Sequence, residues 1–157
     1  MSKVLVIGFG NSLRSDDSLG PQAVRELRQQ LTDPEVEYIE CHQMNIELSQ
    51  PIAEAELVIF VDASMDGISG EIRYEEVKPA LDPGPAMSHY VDPSMLLATA
   101  RQLYGKSPEA IVATVTGECF GFGRQLSPEV ETAMHGVVHH LKDLITARLE
   151  KTVVTAR

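Results

Sequence analysis

Hydrophobic residues along this chain alternate between short unbroken runs and longer helical repeats. Residues 4–7 form one unbroken apolar run and residues 57–61 form another. Strands that are buried on both faces of a parallel sheet have this pattern. Other segments carry apolar residues at every third or fourth position, which is typical of amphipathic helices. Strands alternating with helices predict an α/β fold, a three-layer sandwich with a mainly parallel, twisted sheet of about five strands and helices on both faces.

Turn-forming and helix-capping residues set approximate limits for these elements. Asp17 or Ser18 can cap the first helix, and Asp92 before Pro93 marks the start of the third. Charged and apolar residues alternate over 71–77, which predicts an edge or antiparallel strand. The strands are predicted at residues 4–7, 36–39, 57–61, 71–77 and 111–115, and the helices at residues 19–31, 47–55, 93–104 and 128–150.

Composition and charge narrow the class of protein. The chain has 157 residues, of which 43% are hydrophobic and 23% charged, as in one globular domain, which we assign to residues 1–150 with a frayed tail at 151–157. Its net charge of −10 argues against nucleic acid or an anionic membrane as a partner. Since no secretory signal is recognisable, Cys41 and Cys119 are expected to be reduced thiols in a cytoplasmic protein.

Acidic residues follow two of the predicted buried strands. The loop after the first strand contains Asp16 and Asp17, and the third strand ends at Asp62. Parallel sheets carry their ligand sites at these strand ends. A dinucleotide site is disfavoured there, because Leu13 stands where the third glycine of the phosphate-binding turn belongs and the two aspartates would repel a pyrophosphate. A P-loop is excluded, because no Gly-Lys-Ser/Thr follows.

Asp17, Asp62 and His89 together form a candidate metal-contacting set. Helix capping is the alternative for Asp17, and a surface or capping histidine is the alternative for His89. An aspartate directly after five apolar residues is costly unless it is paired or binds a ligand, which favours a function for Asp62. Two carboxylates and one imidazole suit a divalent first-row metal with open coordination positions. The spacing alone does not require the three side chains to converge.

Other reactive side chains give weaker signals. His135 and His139 lie four residues apart on the last helix, but no glutamate follows the first as in H-E-x-x-H, so a solvated helix surface is expected. Cys119 is expected to be a small buried thiol and not a nucleophile. Ser12 and Ser18 are not part of a G-x-S-x-G elbow.

The loop after the first strand resembles the opening motif of a known enzyme family. Residues 8–20 read Gly-Phe-Gly-Asn-Ser-Leu-Arg-Ser-Asp-Asp-Ser-Leu-Gly. They are similar to G-x-G-N-x-L-x-x-D-D/E-x-x-G of the nickel–iron hydrogenase maturation endopeptidases, and the order of the later Asp and His also matches, so that the resemblance covers residues 3–146. Members remove a C-terminal extension from the precursor of the hydrogenase large subunit after nickel insertion.

The resemblance implies a site, a partner and a cofactor. Asp17, Asp62 and His89 would contact nickel that is carried by the precursor, no organic cofactor would be needed, and these three residues would be both the metal contacts and the catalytic set. Substrate recognition is expected to involve Asp16, which would brace the loop, and Asn11, Gly10 and His42. A nickel-dependent chaperone or adaptor that binds the large subunit without cutting it is the alternative function, and a nucleotide-binding α/β protein is a third.

One stretch departs from the common family pattern. Many members have Asp-Gly-Gly-Thr after the second strand, whereas here that place has Cys41-His42-Gln43-Met44, followed by a Glu47-Leu48 pair. This stretch resembles the branch that serves the bidirectional, NAD(P)-linked hydrogenase. The resemblance implies that His42 helps to select or position the precursor, and a loop histidine bonded to the backbone is the alternative.

Overall fold

The computed structural model describes residues 3–81 and 91–155, with side chains to residue 151, and it contains one five-stranded sheet. The strands are β1 (Val4–Phe9), β2 (Val36–Cys41), β3 (Leu57–Ser64), β4 (Ile72–Glu76) and β5 (Glu109–Thr116). Their order in the sheet is β2-β1-β3-β5-β4, with β4 antiparallel to β5 and the other pairs parallel. The mainly parallel sheet and the antiparallel edge strand are therefore as the sequence predicts.

Helices cover both faces of the sheet. They are α1 (Leu19–Gln30), α2 (Ser49–Glu54), α3 (Pro93–Tyr104) and α4 (Pro128–Thr155), and a short 3-10 turn precedes α2. Helices α1 and α4 pack together on one face, and α2 and α3 pack on the other. Where the sequence predicts a frayed tail after Glu150, α4 continues to Thr155. Within the described ranges, no helix is long and apolar enough to cross a membrane.

Alternate residues of the inner strand β1 belong to opposite cores. Val4 and Val6 pack with α1 and α4, whereas Leu5 and Ile7 pack with α2 and α3. All four side chains are fully buried. Burial on both faces is the reason why the strand is apolar without interruption, and it confirms the three-layer sandwich.

The helix starts confirm one capping prediction and overturn another. Asp92 caps α3, since its carboxylate accepts a hydrogen bond from Met95 N at 2.9 Å, and Gly105 ends that helix with a φ of 75°. The prediction that Asp17 or Ser18 caps α1 is wrong. Residues Ser15–Ser18 form a 3-10 turn that runs directly into the helix, so Ser18 has φ −79° and ψ 0° and lacks the extended backbone of a capping residue.

Gly20 allows α1 to lie against the sheet. A Cβ at this position would lie 2.5 Å from both Phe9 O and Val61 O, which are backbone atoms of the two central strands. These atoms cannot move without displacing the strands, so the first turn of α1 requires a glycine here. Gly20, the last glycine of the opening motif, thus provides the close helix–sheet approach.

Gly20→Ala is expected to lower the free energy of unfolding by about 3 kcal/mol, because the added methyl group overpacks a rigid backbone contact. Gly136→Ala on α4 is the matched control. Among the described residues, its Cβ would meet only Ile72 Cδ1, at 3.7 Å, and replacing a glycine inside a helix should raise stability by about 1 kcal/mol. Urea denaturation of both variants measures the difference. Equal effects of the two substitutions would contradict the packing role of Gly20.

Candidate active site

A cavity of about 540 Å³ opens at the carboxyl ends of β1, β2 and β3. Strand β1 lies between β2 and β3: the chain passes from β1 to β2 on one side and then returns past β1 to β3 on the other, which makes this the switch point where open α/β sheets bind ligands. Asp17 and Asp62, the two aspartates of the predicted metal-contacting set, both line the cavity. The lining residues are Phe9, Gly10, Asp17, His42, Gln43, Met44, Asp62, Val91, Asp92, Pro93 and Val112.

The loop after β1 holds the Asp17 carboxylate in a fixed orientation. Its Oδ2 accepts a hydrogen bond from Asn11 N at 2.9 Å, while the Asn11 side chain accepts one from Leu13 N at 2.9 Å. Gly10 has a φ of 150°, and a Cβ there would lie 1.9 Å from Asp17 O. The backbone N–H of Asn11 is thus already paired with a carboxylate of this protein, whereas in a phosphate-binding turn such backbone N–H groups bind the phosphate.

Asp62 lies inside β3, two residues before its end, where it is in register with Thr114 of β5. The strand is longer than predicted, since it continues to Ser64. Burial raises the pKa of Asp62 to about 7, a hydrogen bond from Ala63 N opposes this rise, and the charge of Asp17 adds to it. A carboxylate that is costly to ionise and close to a second carboxylate is typical of a functional cleft.

His89, the third member of the predicted set, lies outside the described residues. Val91 and Asp92, the first described residues after it, line the cavity. Among the described residues, no group of three or more His, Cys, Asp or Glu side chains is arranged to hold a metal ion. The structure therefore brings Asp17 and Asp62 to one cavity and leaves the position of His89 a prediction.

The segment after β2 and the start of α3 complete the cavity wall. His42, Gln43 and Met44 line it from one side, and the side chain of His42 is exposed. Asp92 adds a third carboxylate that the sequence assigns only to helix capping. Its position three residues after His89 is the sequence feature that could have indicated a place in the site. The capping motif with Pro93 accounts for an aspartate there without any such role.

Asp16 is enclosed in the protein, unlike Asp17, and it joins two loops. The side chain is completely buried. Its carboxylate accepts hydrogen bonds from Glu118 N, Cys119 N, Ser127 N and Ser127 Oγ, at 2.7–2.8 Å. Burial pushes the pKa of Asp16 upward, but these bonds outweigh it and the pKa is lowered. The loop between β5 and α4 is thus fixed to the loop that carries Asp17.

Asp16→Asn is expected to lower the free energy of unfolding by about 3 kcal/mol at pH 7, because asparagine keeps one acceptor oxygen but places an NH2 donor where the second oxygen of Asp16 accepts from buried groups. The lowered pKa means that the stabilisation by Asp16 is present above the pKa of an unfolded aspartate, about 3.9, and is lost as the pH falls below it. Urea denaturation from pH 7 to pH 3 should show the gap between wild type and variant narrowing at the acid end. Equal free energies of unfolding for wild type and Asp16→Asn at pH 7 would contradict this role.

The weaker candidates have mixed outcomes. The exposed His135 and His139 confirm a solvated helix surface, where His135 Nδ1 lies 2.9 Å from Glu26 Oε1. Both cysteines are free thiols, but the prediction that Cys119 is buried is wrong. Its backbone N–H and C=O bind Asp16, so the side chain points away from the core. Cys41 is half-buried, and burial raises the pKa of its thiol.

Solved structures share this fold. The NiFe hydrogenase maturation protease HycI from Thermococcus kodakarensis has 21% identity and a TM-score of 0.74, covering 92% of this chain and 93% of its own. The hydrogenase 2 maturation peptidase from a Thaumarchaeota archaeon has 24% identity and a TM-score of 0.70, covering 92% and 99%. The hydrogenase maturating endopeptidase HybD from E. coli has 22% identity and a TM-score of 0.72, covering 97% and 94%.

No protein-family model and no curated protein sequence matches the chain. The likeness therefore lies in the path of the backbone and extends over nearly the whole length of each protein. This chain has the fold of the solved hydrogenase maturation proteases.

Proposed function

We propose that this chain is an endopeptidase that removes the C-terminal extension from the nickel-loaded precursor of a NiFe hydrogenase large subunit. The nickel arrives with the precursor and is part of the substrate. Asp17, Asp62 and His89 contact it, and no organic cofactor takes part. The fold shared with hydrogenase maturation proteases and the opening motif of residues 8–20 support this function.

The observation that carries the proposal is that Asp17, in the turn before α1, and Asp62, near the end of β3, line one cavity. Two ionised carboxylates repel each other, and burial makes the charge on Asp62 costlier still. A cation between them would remove both penalties. Carboxylate and imidazole ligands without a thiolate bind such a metal weakly. Weak binding suits an enzyme that recognises nickel in its substrate and releases the product after cleavage.

The chemistry of the site follows from what peptide hydrolysis requires. The scissile carbonyl must be polarised and a water molecule activated. Nickel bound at the cavity can do both, or it can fix the position of the scissile bond. The residues of this chain hold the metal, with Asp17 oriented by Asn11 N and the loop of Asp17 held by Asp16.

We assign the chain to the branch that serves the bidirectional, NAD(P)-linked hydrogenase, and the reaction to the cytoplasm. The support for this branch is the His42-Gln43 stretch, which lines the cavity together with the two aspartates. An exposed imidazole at the cavity wall is in a position to contact a bound precursor.

His42→Ala is expected to slow cleavage of the cognate precursor by about 10-fold, the effect of losing one substrate contact of about 1.4 kcal/mol. Thermal stability should not change, because the side chain is exposed. His139→Ala, which removes an exposed histidine of α4, is the control. If the variant keeps both the cleavage rate and the choice of precursor, His42 has only a structural role.

A cleavage assay distinguishes the proposed endopeptidase from a chaperone or adaptor. The purified protein is incubated with large-subunit precursor isolated from nickel-supplied cells and, separately, from nickel-starved cells. Mass spectrometry then measures release of the C-terminal peptide. Release from the nickel-loaded precursor alone supports the proposal. Stable binding of the nickel-loaded precursor without peptide release would identify a non-cleaving chaperone instead.

A further inference from the structure

A smaller groove adjoins the cavity, and we call it the side groove. Its volume is about 160 Å³, and its walls include Ser12, Arg25 and Glu40. Gly10 and His42 line both the cavity and the side groove. The two spaces are therefore neighbouring compartments of one depression at the ends of β1 and β2, separated at Gly10 by backbone without a side chain.

The two compartments differ in charge. The cavity is lined by Asp17, Asp62 and Asp92, and among the described residues its wall contains no lysine or arginine. The wall of the side groove contains one arginine and one glutamate, Arg25 and Glu40. The side groove thus places a cation beside the acidic cavity.

Arg25 has donors left over after it binds Glu40. Its Nε donates to Glu40 Oε1 at 2.8 Å, and its side chain is 52% exposed. Arg28 NH1 also lies 3.7 Å from Glu40 Oε2, so two guanidinium groups share one carboxylate. Within the described part of the chain, no further hydrogen bond engages the terminal amino groups of Arg25. A guanidinium with such donors binds carboxylates well.

We propose that Arg25 binds a carboxylate of the precursor's C-terminal segment in the side groove and is a specificity-determining residue. The inference rests on the proposed function. A cation occupies the acidic cavity, and the precursor segment passes over the backbone of Gly10, which has no side chain. A carboxylate of the segment then binds Arg25. This carboxylate is an acidic side chain of the extension or the terminal carboxylate. The carboxylates of the cavity and the guanidinium of Arg25 in the side groove then fix the direction in which the segment lies.

Steady-state cleavage of nickel-loaded precursor tests the role of Arg25. Arg25→Gln should raise KM about 5- to 10-fold, the effect of one partly exposed charged contact, and leave kcat within about twofold. Arg28→Gln is the matched control, because Arg28 contacts the same Glu40 but does not line the side groove, and it should change neither constant. Glu40→Gln releases Arg25 from its partner and should lower KM.

Modified precursors identify the source of the carboxylate. One carries amides in place of the acidic side chains of the extension, and another is amidated at its C-terminus by ligation. The modification that raises the wild-type KM, and removes the difference between wild type and Arg25→Gln, marks the bound group. Cleavage by wild type with an unchanged KM in Arg25→Gln would overturn this inference alone, whereas no cleavage by wild type would overturn the proposed function.

Discussion

Replacing either Asp17 or Asp62 by asparagine is expected to slow precursor cleavage by more than about 100-fold, because loss of a direct metal ligand costs more than the 10- to 100-fold known for residues that only support ligands. Asparagine keeps the size of the side chain and one acceptor oxygen, so Asn11 N retains a partner at position 17. It lacks the charge that holds a cation. The same loss is expected for His89→Ala. The measurement is the rate of C-terminal peptide release from nickel-loaded precursor.

Asp143→Asn is the matched control for these variants. Asp143 lies on α4 with 71% of its side chain exposed, and it does not line the cavity. The substitution changes the net charge equally and should leave cleavage intact. Circular dichroism must show that each variant is folded. Full cleavage by the Asp17 or the Asp62 variant would remove that residue from the site.

The second large effect concerns stability without any substrate. Asp62→Asn should raise the free energy of unfolding at pH 8 by up to about 4 kcal/mol relative to wild type. An unfolded aspartate has a pKa of about 3.9, whereas the folded pKa of Asp62 is about 7. Between these values the folded protein binds more protons than the unfolded chain. The free energy of unfolding of wild type therefore falls as the pH rises through this window.

Urea denaturation at several pH values from 4 to 8 measures this effect. The curves of wild type and Asp62→Asn should nearly coincide at pH 4 and diverge as the pH rises. Asp143→Asn should show no such divergence, because its side chain is exposed. Asp17→Asn should lower the pKa of Asp62, since the charge of Asp17 contributes to raising it. A variant that is less stable than wild type at pH 8 would show that the ionised Asp62 is not penalised by burial.

Local sequence signals predicted the fold, because each element is encoded over a few neighbouring residues. The apolar run at residues 4–7 requires a strand covered on both faces, and β1 is such a strand. Asp92-Pro93 and Gly105 mark both ends of α3, and each has the expected backbone conformation. The ends of parallel strands meet at one edge, so Asp17 and Asp62 could be expected near each other.

Features that depend on distant parts of the chain could not be predicted in the same way. Asp16 binds residues more than 100 positions away, and only the folded loops show that its carboxylate is fully bonded. The same bonds hold the backbone of Cys119 and leave its thiol exposed, contrary to expectation. Gly20 is required by the close approach of α1 to two strands that are distant in sequence, and its contact with Val61 O is evident only in the folded protein.

The most direct test of the account is a crystal structure determined with millimolar Ni²⁺ and data collected at the nickel absorption edge. The account predicts one anomalous peak in the cavity at the ends of β1 and β3, about 2.0–2.2 Å from oxygen atoms of Asp17 and Asp62 and from an imidazole nitrogen of His89. A peak elsewhere, or a His89 side chain directed away from the two aspartates, would contradict the proposed site.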